Sequence, residues 1–371
     1  MNAVNSVGIY IHVPFCRSKC PYCDFYSVEA TEQLMDLYTD ETTRRIRALA
    51  PKNLRADTVY FGGGTPSLLG GRRMARIMDE LRASVAISES AEITAEANPS
   101  SDLEEFLRVC AASGVNRLSL GMQSAVRREL AAIGRRHSPD DVKRAIENAR
   151  QYGIDNISLD LMLGIPFQTT DSLEETLRFI SECDPAHVSA YMLKIEEGTP
   201  FSRMKNTLAI ADDDGLADLY ELAFSRLHEM GFVRYEISNA CKPGFESRHN
   251  LKYWNCEEYI SFGPSAHGFF DGRRYYFDRS LASYLAGTSP HDDGEGGGME
   301  EYVMLRLRLA QGLTEEGLNR RFGVTIPPAM RKRAASPLMK PYCVCGDEGI
   351  SLTGKGMLVS NAIICDLIEL L

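Results

Sequence analysis

The sequence predicts an α/β fold, a partial (β/α)6 TIM-like barrel followed by a smaller, mainly helical C-terminal domain. Three observations carry that prediction. Over about the first two thirds of the chain, six short β-rich runs alternate with six amphipathic stretches, the pattern of parallel strands joined by crossover helices. Six units rather than eight leave one side of a barrel open. Cysteines, glycines and isolated polar residues fall at the ends of successive strands, the rim at which such barrels place their chemistry.

The first strand, 7–13, leads into a cysteine-rich loop and a helix over 31–49. The second, 58–61, runs into Gly62, Gly63 and Gly64, with a helix over 72–83. The third, 92–97, carries Glu96 and precedes a helix over 102–113; the fourth, 117–121, is followed by Gln123 and a helix over 139–152. The fifth, 157–163, carries Asp160 and precedes a helix over 173–182; the sixth, 187–193, precedes one over 215–230. Past Gly231 the alternation stops. This divides the chain into a barrel over 1–235, a loop-rich connecting segment over 236–298 with a polar, glycine-rich linker at 292–298, and a C-terminal domain over 299–371. In the last, helices are expected over 299–310, after Thr314 and over 359–371, with a hairpin pairing 350–352 and 357–359.

Composition narrows the function. No apolar run approaches the roughly 20 residues that span a bilayer, and the N-terminus lacks the basic flank and cleavage site of a signal peptide. A cytoplasmic location is expected, with at most peripheral membrane contact. The formal charge of −10 argues against nucleic acid as the main partner, because phosphate neutralisation needs a basic stripe. The short basic clusters, Arg44 with Arg45, Arg72 with Arg73, and 331–333, read as solvated helix faces.

Ten cysteines are too few for a disulfide scaffold, yet Cys16, Cys20 and Cys23 crowd into eight positions. In a reducing compartment such crowding points to a metal or redox site. The spacing C-x3-C-x2-C offers three soft, anionic thiolates, suited to an iron–sulfur cluster with one iron left open. The alternative is a zinc site with a distant fourth ligand, although no second C-x2-C knuckle exists. Cys110, Cys183, Cys241, Cys256 and Cys365 read as packing positions. The Gly-Gly-Gly turn admits close backbone approach to a ligand, or is merely tight. Glu96, Gln123, Arg135 and Asp160 are either ligand contacts or a rim network of ion pairs. His249, in Arg248-His-Asn-Leu-Lys-Tyr-Trp254, is either a metal-ligating imidazole or part of a packed junction.

The cysteine motif, with an aromatic before its third thiol, resembles the signature of radical S-adenosylmethionine (SAM) proteins. The surrounding Tyr10-Ile-His-Val-Pro-Phe-Cys16 and Cys23-Asp24-Phe25 are similar to the branch that contains the oxygen-independent coproporphyrinogen III dehydrogenases and the HemW heme chaperones. The likeness continues through Phe61-Gly-Gly-Gly-Thr-Pro-Ser67, Glu96-Ala-Asn-Pro99, Arg117-Leu-Ser-Leu-Gly-Met-Gln-Ser124, Asp160-Leu-Met-Leu-Gly-Ile-Pro166 and Tyr235-Glu-Ile-Ser-Asn239. It covers nearly the whole chain.

The resemblance implies a [4Fe–4S] cluster on Cys16, Cys20 and Cys23. It implies SAM held by Gly63, Gly64 and Thr65 at the methionine amino group. Glu96 and Arg135 would take its charged end, Gln123 and Asp160 the ribose, with Tyr22 near the adenine and Tyr10 beside the cofactor. Heme, as cargo, would meet His249, Asn250, Tyr253 and Trp254, the H-N-x-x-Y-W motif of the chaperone branch. The implied partners are a low-potential electron donor and a heme acceptor, a membrane respiratory enzyme. The dehydrogenases carry a further cysteine where this chain has Phe25, which argues against decarboxylation of coproporphyrinogen III in porphyrin biosynthesis. The other alternative is a radical SAM enzyme acting on heme itself.

Overall fold

The computed structural model describes residues 6–51, 53–99 and 103–371; the first five residues and the expected helix start at Asp102 lie outside them. Six parallel strands form the centre: β1 (Val7–Val13), β2 (Arg55–Gly63), β3 (Ala86–Ala97), β4 (Arg117–Gln123), β5 (Asn156–Leu163) and β6 (His187–Met192). Each pairs with the next in chain order. Between them run α1 (Glu32–Leu49), α2 (Gly71–Ser84), α3 (Leu103–Ala112), α4 (Pro139–Gln151) and α5 (Thr170–Cys183), and α6 (Asp213–Glu229) follows β6. The six expected units are all present. The helices begin where their sequences stop them sliding. Ser138 and Thr169, for example, form capping boxes ahead of α4 and α5, each satisfying N–H groups that a helix start leaves free.

Strand alternation decides what lies inside. Successive side chains of a strand point to opposite faces, and here one face is apolar, the other polar. Ile9, Ile11, Val59, Phe61, Leu118, Leu120, Ile157, Leu159 and Val188 join a single buried core with the helices. The other face carries Tyr60, Glu96, Ser119, Asp160, Ser189 and Tyr191, which line the interior cavity. This lumen is polar, unlike the Val/Ile/Leu filling of a closed barrel.

The segment expected to be a loop-rich connector, 236–298, is instead woven into the same sheet. β7 (Asn239–Cys241) pairs antiparallel with β6, and β8 (Tyr259–Phe262) pairs parallel with the free side of β1. β9 (His267–Phe270), β10 (Arg273–Tyr276) and β11 (His291–Glu295) extend that edge antiparallel. The expected linker at 292–298 therefore begins inside a strand, pinned by the Arg273–Asp292 ion pair. A cut at 235 would cross the sheet.

Between β7 and β8 lies α7 (Arg248–Trp254), which carries the H-N-x-x-Y-W motif. The Glu92 carboxylate accepts the backbone N–H groups of Arg248 (3.1 Å) and His249 (3.0 Å). Lys252 is buried against Asp57 at 2.9 Å and Ser6 O at 3.1 Å. Asp57 lies near the start of β2 and Glu92 stands opposite Thr58 in the register of β2 with β3, so α7 closes the barrel end away from the cysteine loop.

A second core gathers Val303, Leu307, Leu318, Met330, Ile363 and Leu367 with Tyr259 and Phe269, so β8 and β9 serve both cores. Helices form over Met299–Arg306, Glu315–Phe322 and Ser360–Ile368. The expected hairpin is corrected. Gly349–Leu352 pairs with the preceding Cys343–Gly346, while Thr353 caps a short helix, accepting from the Gly356 N–H at 3.0 Å. Cys365, expected to pack, is exposed. The basic clusters are paired with carboxylates, Arg44 with Glu41, Arg73 with Glu32 and Asp36, and Arg331 with Glu315. Arg45 is buried. Among the described residues no helix is long and apolar enough to cross a membrane.

Glu92→Ala should strand two buried N–H groups. An expected loss of about 1–3 kcal/mol is measurable by urea unfolding, with Glu92→Gln less affected because it keeps one acceptor.

Candidate cofactor-binding site

At the C-terminal strand ends opens a cavity of about 560 Å³, within the size range of small-molecule sites. Tyr22, Gly63, Gly64, Thr65, Glu96, Gln123, Arg135 and Asp160 all line it, together with Cys16 and Cys23. Tyr10 does not. It sits in mid-strand below the rim, its ring leaning on Tyr60 and His249 at 6.2 and 6.4 Å between centroids.

Glu96, Asp160 and Arg135 in this wall are half-buried, and among the described residues none of them forms an ion pair. Glu96 Oε1 accepts from Tyr60 O–H at 2.8 Å and Oε2 from the Gly63 N–H at 3.3 Å. Burial pushes its carboxyl up to about 7. Asp160 accepts from Ser119 O–H at 3.1 Å, and burial raises it to about 6. Arg135 donates to Tyr22 O–H at 3.0 Å and to Asn98 Oδ1, while its buried Nε has no partner. The alternative of a rim ion-pair network is not realised, because all these contacts are to neutral groups. Two carboxylates and a guanidinium held apart in a polar cavity suit a ligand carrying both signs of charge.

Gln123 reaches the cavity through strain. Its φ is 66°, a left-handed conformation that costs a non-glycine residue about 1–3 kcal/mol. Tyr191 O–H holds the side chain, donating to Oε1 at 2.8 Å.

The glycine turn has a structural role that its sequence did not reveal. The N–H of Gly64 donates to Val13 O and that of Thr65 to Phe15 O, both at 2.8 Å. A Cβ on Gly64 would lie 2.6 Å from Phe15 O. The turn thus clamps the start of the cysteine loop, with Cys16 Sγ 3.6 Å from Thr65 Oγ1.

All three loop cysteines are free and half-buried. Cys16 and Cys23 face the large cavity, whereas Cys20 lines an adjoining cleft with Arg17, Arg136 and His137. Among the described residues no three His, Cys, Asp or Glu side chains converge as a metal-holding group. Burial, with the neighbouring Cys20 and Cys16, pushes the Cys23 thiol up. The donor set fits a group bound through three thiolates: three unpaired soft donors on one loop, beside a cavity of unpaired charges.

The heme-motif residues lie elsewhere. His249 is fully buried; Nδ1 hydrogen-bonds Thr58 Oγ1 and Nε2 Tyr253 O–H, each at 2.8 Å. Burial lowers it to about 3, and the ring stacks on Tyr60. The expectation of His249 as an accessible ligand is therefore corrected, since neither nitrogen is free. Asn250 and Trp254 are half-buried on α7, with Arg308 over the indole at 5.9 Å. Tyr253 lines a second cavity, shared with Tyr10. Sequence reasoning missed Tyr60, Ser119, Ser189, Tyr191 and Asn239 in the main wall. The period-two alternation of polar residues in each strand was the signal that would have found most of them.

Fold and site together define a radical SAM protein, a partial barrel with its cysteine loop beside a polar rim cavity, and residues 10–180 match the Radical SAM superfamily. The chain is 39% identical to the heme chaperone HemW of Mycobacterium tuberculosis across 96% of this chain and 93% of that one. It is 33% identical to the heme chaperone HemW of Bacillus subtilis, covering 95% and 97%. The coproporphyrinogen III oxidase HemN from Escherichia coli shares the fold, with a TM-score of 0.85 at 20% identity over 98% of this chain and 90% of that one. The chain belongs to the HemW family of the radical SAM superfamily.

Gly64→Ala should overpack the loop clamp, costing about 1–3 kcal/mol in urea unfolding and speeding alkylation of Cys16. Glu96 supplies a pH test. Its folded value of about 7 lies above the ordinary 4.5, so the folded state binds the extra proton and the ligand-free protein loses stability as pH rises between them. Glu96→Gln should raise Tm at pH 8 and leave it unchanged at pH 4.

Proposed function

We propose that this chain is a heme chaperone that carries a [4Fe–4S] cluster and SAM side by side and passes heme to an acceptor protein. The observation that carries the reading is identity of 33–39% across almost the whole length of proteins named as heme chaperones. The half-buried, unpaired charges of the rim cavity support the cofactor part.

In this reading Cys16, Cys20 and Cys23 hold the cluster through their thiolates. When bound, the cluster supplies an electron at low potential. Glu96 receives the methionine ammonium of SAM and ionises as it does so, because an adjacent cation favours the charged form and offsets the burial that raises its value. Arg135 takes the methionine carboxylate with the Nε that has no protein partner. Gln123 and Asp160 hold the ribose hydroxyls, and Tyr22 packs on the adenine. Gly63, Gly64 and Thr65 keep the cysteine loop against this ligand. A low-potential donor protein would deliver the electron, and a respiratory enzyme at the cytoplasmic face of the membrane would receive the heme. Phe25, where the dehydrogenases have a cysteine, weighs against porphyrinogen decarboxylation.

Anaerobic reconstitution with iron and sulfide should give a brown protein that binds SAM, and added hemin should leave a Soret band that survives desalting. A desalted protein without heme would overturn the chaperone reading; protoporphyrinogen IX formed from coproporphyrinogen III, SAM and reductant would establish the dehydrogenase instead. Arg135→Ala should weaken SAM binding at least tenfold, as loss of a charged hydrogen bond worth about 1.5–3 kcal/mol requires, measured by calorimetry on the reconstituted protein.

A further inference from the structure

The histidines divide by what their nitrogens already do. His12 bonds Tyr26 O at 3.0 Å and Tyr10 O–H at 3.1 Å. His187 bonds Ser158 Oγ at 2.8 Å and Tyr235 O–H at 2.9 Å, and His249 is saturated as described. His291 is paired with Asp278 at 2.8 Å, and His137 holds Met122 O at 3.0 Å. His267 is exposed on β9, neither ring nitrogen hydrogen-bonded among the described residues, its ring stacked on Tyr276 at 5.5 Å.

His267 also lines the second cavity, of about 360 Å³. Tyr10, Tyr26, Tyr253, Tyr259 and Phe25 give that cavity aromatic walls, which suit a flat conjugated ring. Phe25 is 67% exposed, an apolar surface whose cover would be favourable. Arg279 lines the same space, held at 2.9 Å from Asp24, and offers a cation to a ligand carboxylate. Asp24 and Phe25 line both cavities, so one short segment, directly after Cys23, separates them.

We propose that a planar metal tetrapyrrole binds in this second cavity, with a ring nitrogen of His267 as its axial donor and Phe25 against its face. The inference rests on the heme reading above and assigns its site. It also gives His249 a different part. His249 is a positioning residue, holding Tyr253 O–H at 2.8 Å so that the ring, edge-on to Tyr259 at 4.6 Å, forms a wall. His228 is the other exposed histidine without a side-chain hydrogen bond, beside Phe224 in a separate cavity. There Arg234 already covers the aromatic face at 4.7 Å.

The test uses the full chain and hemin, with electron paramagnetic and resonance Raman spectra reporting the axial ligand. His267→Ala should lose the histidine-ligated signature and bind hemin at least tenfold more weakly, with SAM affinity unchanged, and added imidazole should restore the signature. His249→Gln should keep the wild-type ligand signature while binding less tightly; His228→Ala should behave as wild type. Histidine ligation that survives His267→Ala, or vanishes in His249→Gln or His228→Ala, would overturn the assignment while leaving the chaperone reading intact. A wild-type protein that binds no hemin would overturn both.

Discussion

The rest of the structure depends on the sheet turning its polar face inward. Buried polar groups must find partners or remain costly, and this lumen meets that demand differently at its two ends. At the end closed by α7, chains of hydrogen bonds satisfy part of the interior, with Thr58, His249 and Tyr253 in one and Ser158, His187 and Tyr235 in another, while Thr94 Oγ1, Arg117 Nε and Asn156 Oδ1 are left without a partner among the described residues. At the opposite rim no such closure exists. Glu96, Asp160 and Arg135 stand half-buried with hydrogen bonds to neutral groups, and among the described residues Arg135 Nε and Asn239 Oδ1 have no partner. The rim differs in being open: its polar side chains face a cavity large enough for a small molecule, and that is what makes a binding site of it.

The cysteine loop and the glycine turn are one mechanical unit. Two backbone hydrogen bonds from Gly64 and Thr65 fix the loop's first residues, while Gly63 and Thr65 face the cavity. Phe25, just beyond the last of the thiols, lines both the rim cavity and the second cavity at the open edge of the sheet.

Much of this was legible in the sequence. The strand over Val7–Val13, the six β/α units, the loop thiols and the meeting of Gly63, Gly64, Glu96, Gln123 and Asp160 at one rim follow from local periodicity and spacing. The segment 236–298 was not legible, because its strands are short and polar and exist only by pairing with edges of β1 and β6 supplied from far away. His291–Glu295 shows this most clearly: it reads as a linker and becomes a strand through Arg273 and its neighbours. The hairpin near the C-terminus was misjudged because Thr353 caps a helix as readily as it turns a strand.

By itself, then, the sequence determined the fold class, the thiol loop and the placing of Glu96, Gln123 and Asp160 at one rim, since alternation, spacing and residue type are properties of a short stretch of chain. Only the tertiary structure decided which histidine keeps a free nitrogen, where Tyr10 and Tyr253 face, and that α7 seals the far end of the barrel. Those outcomes turn on lone pairs and strand edges satisfied by partners remote in the chain, as when His249 meets Thr58 across 191 positions. No local pattern encodes such a meeting.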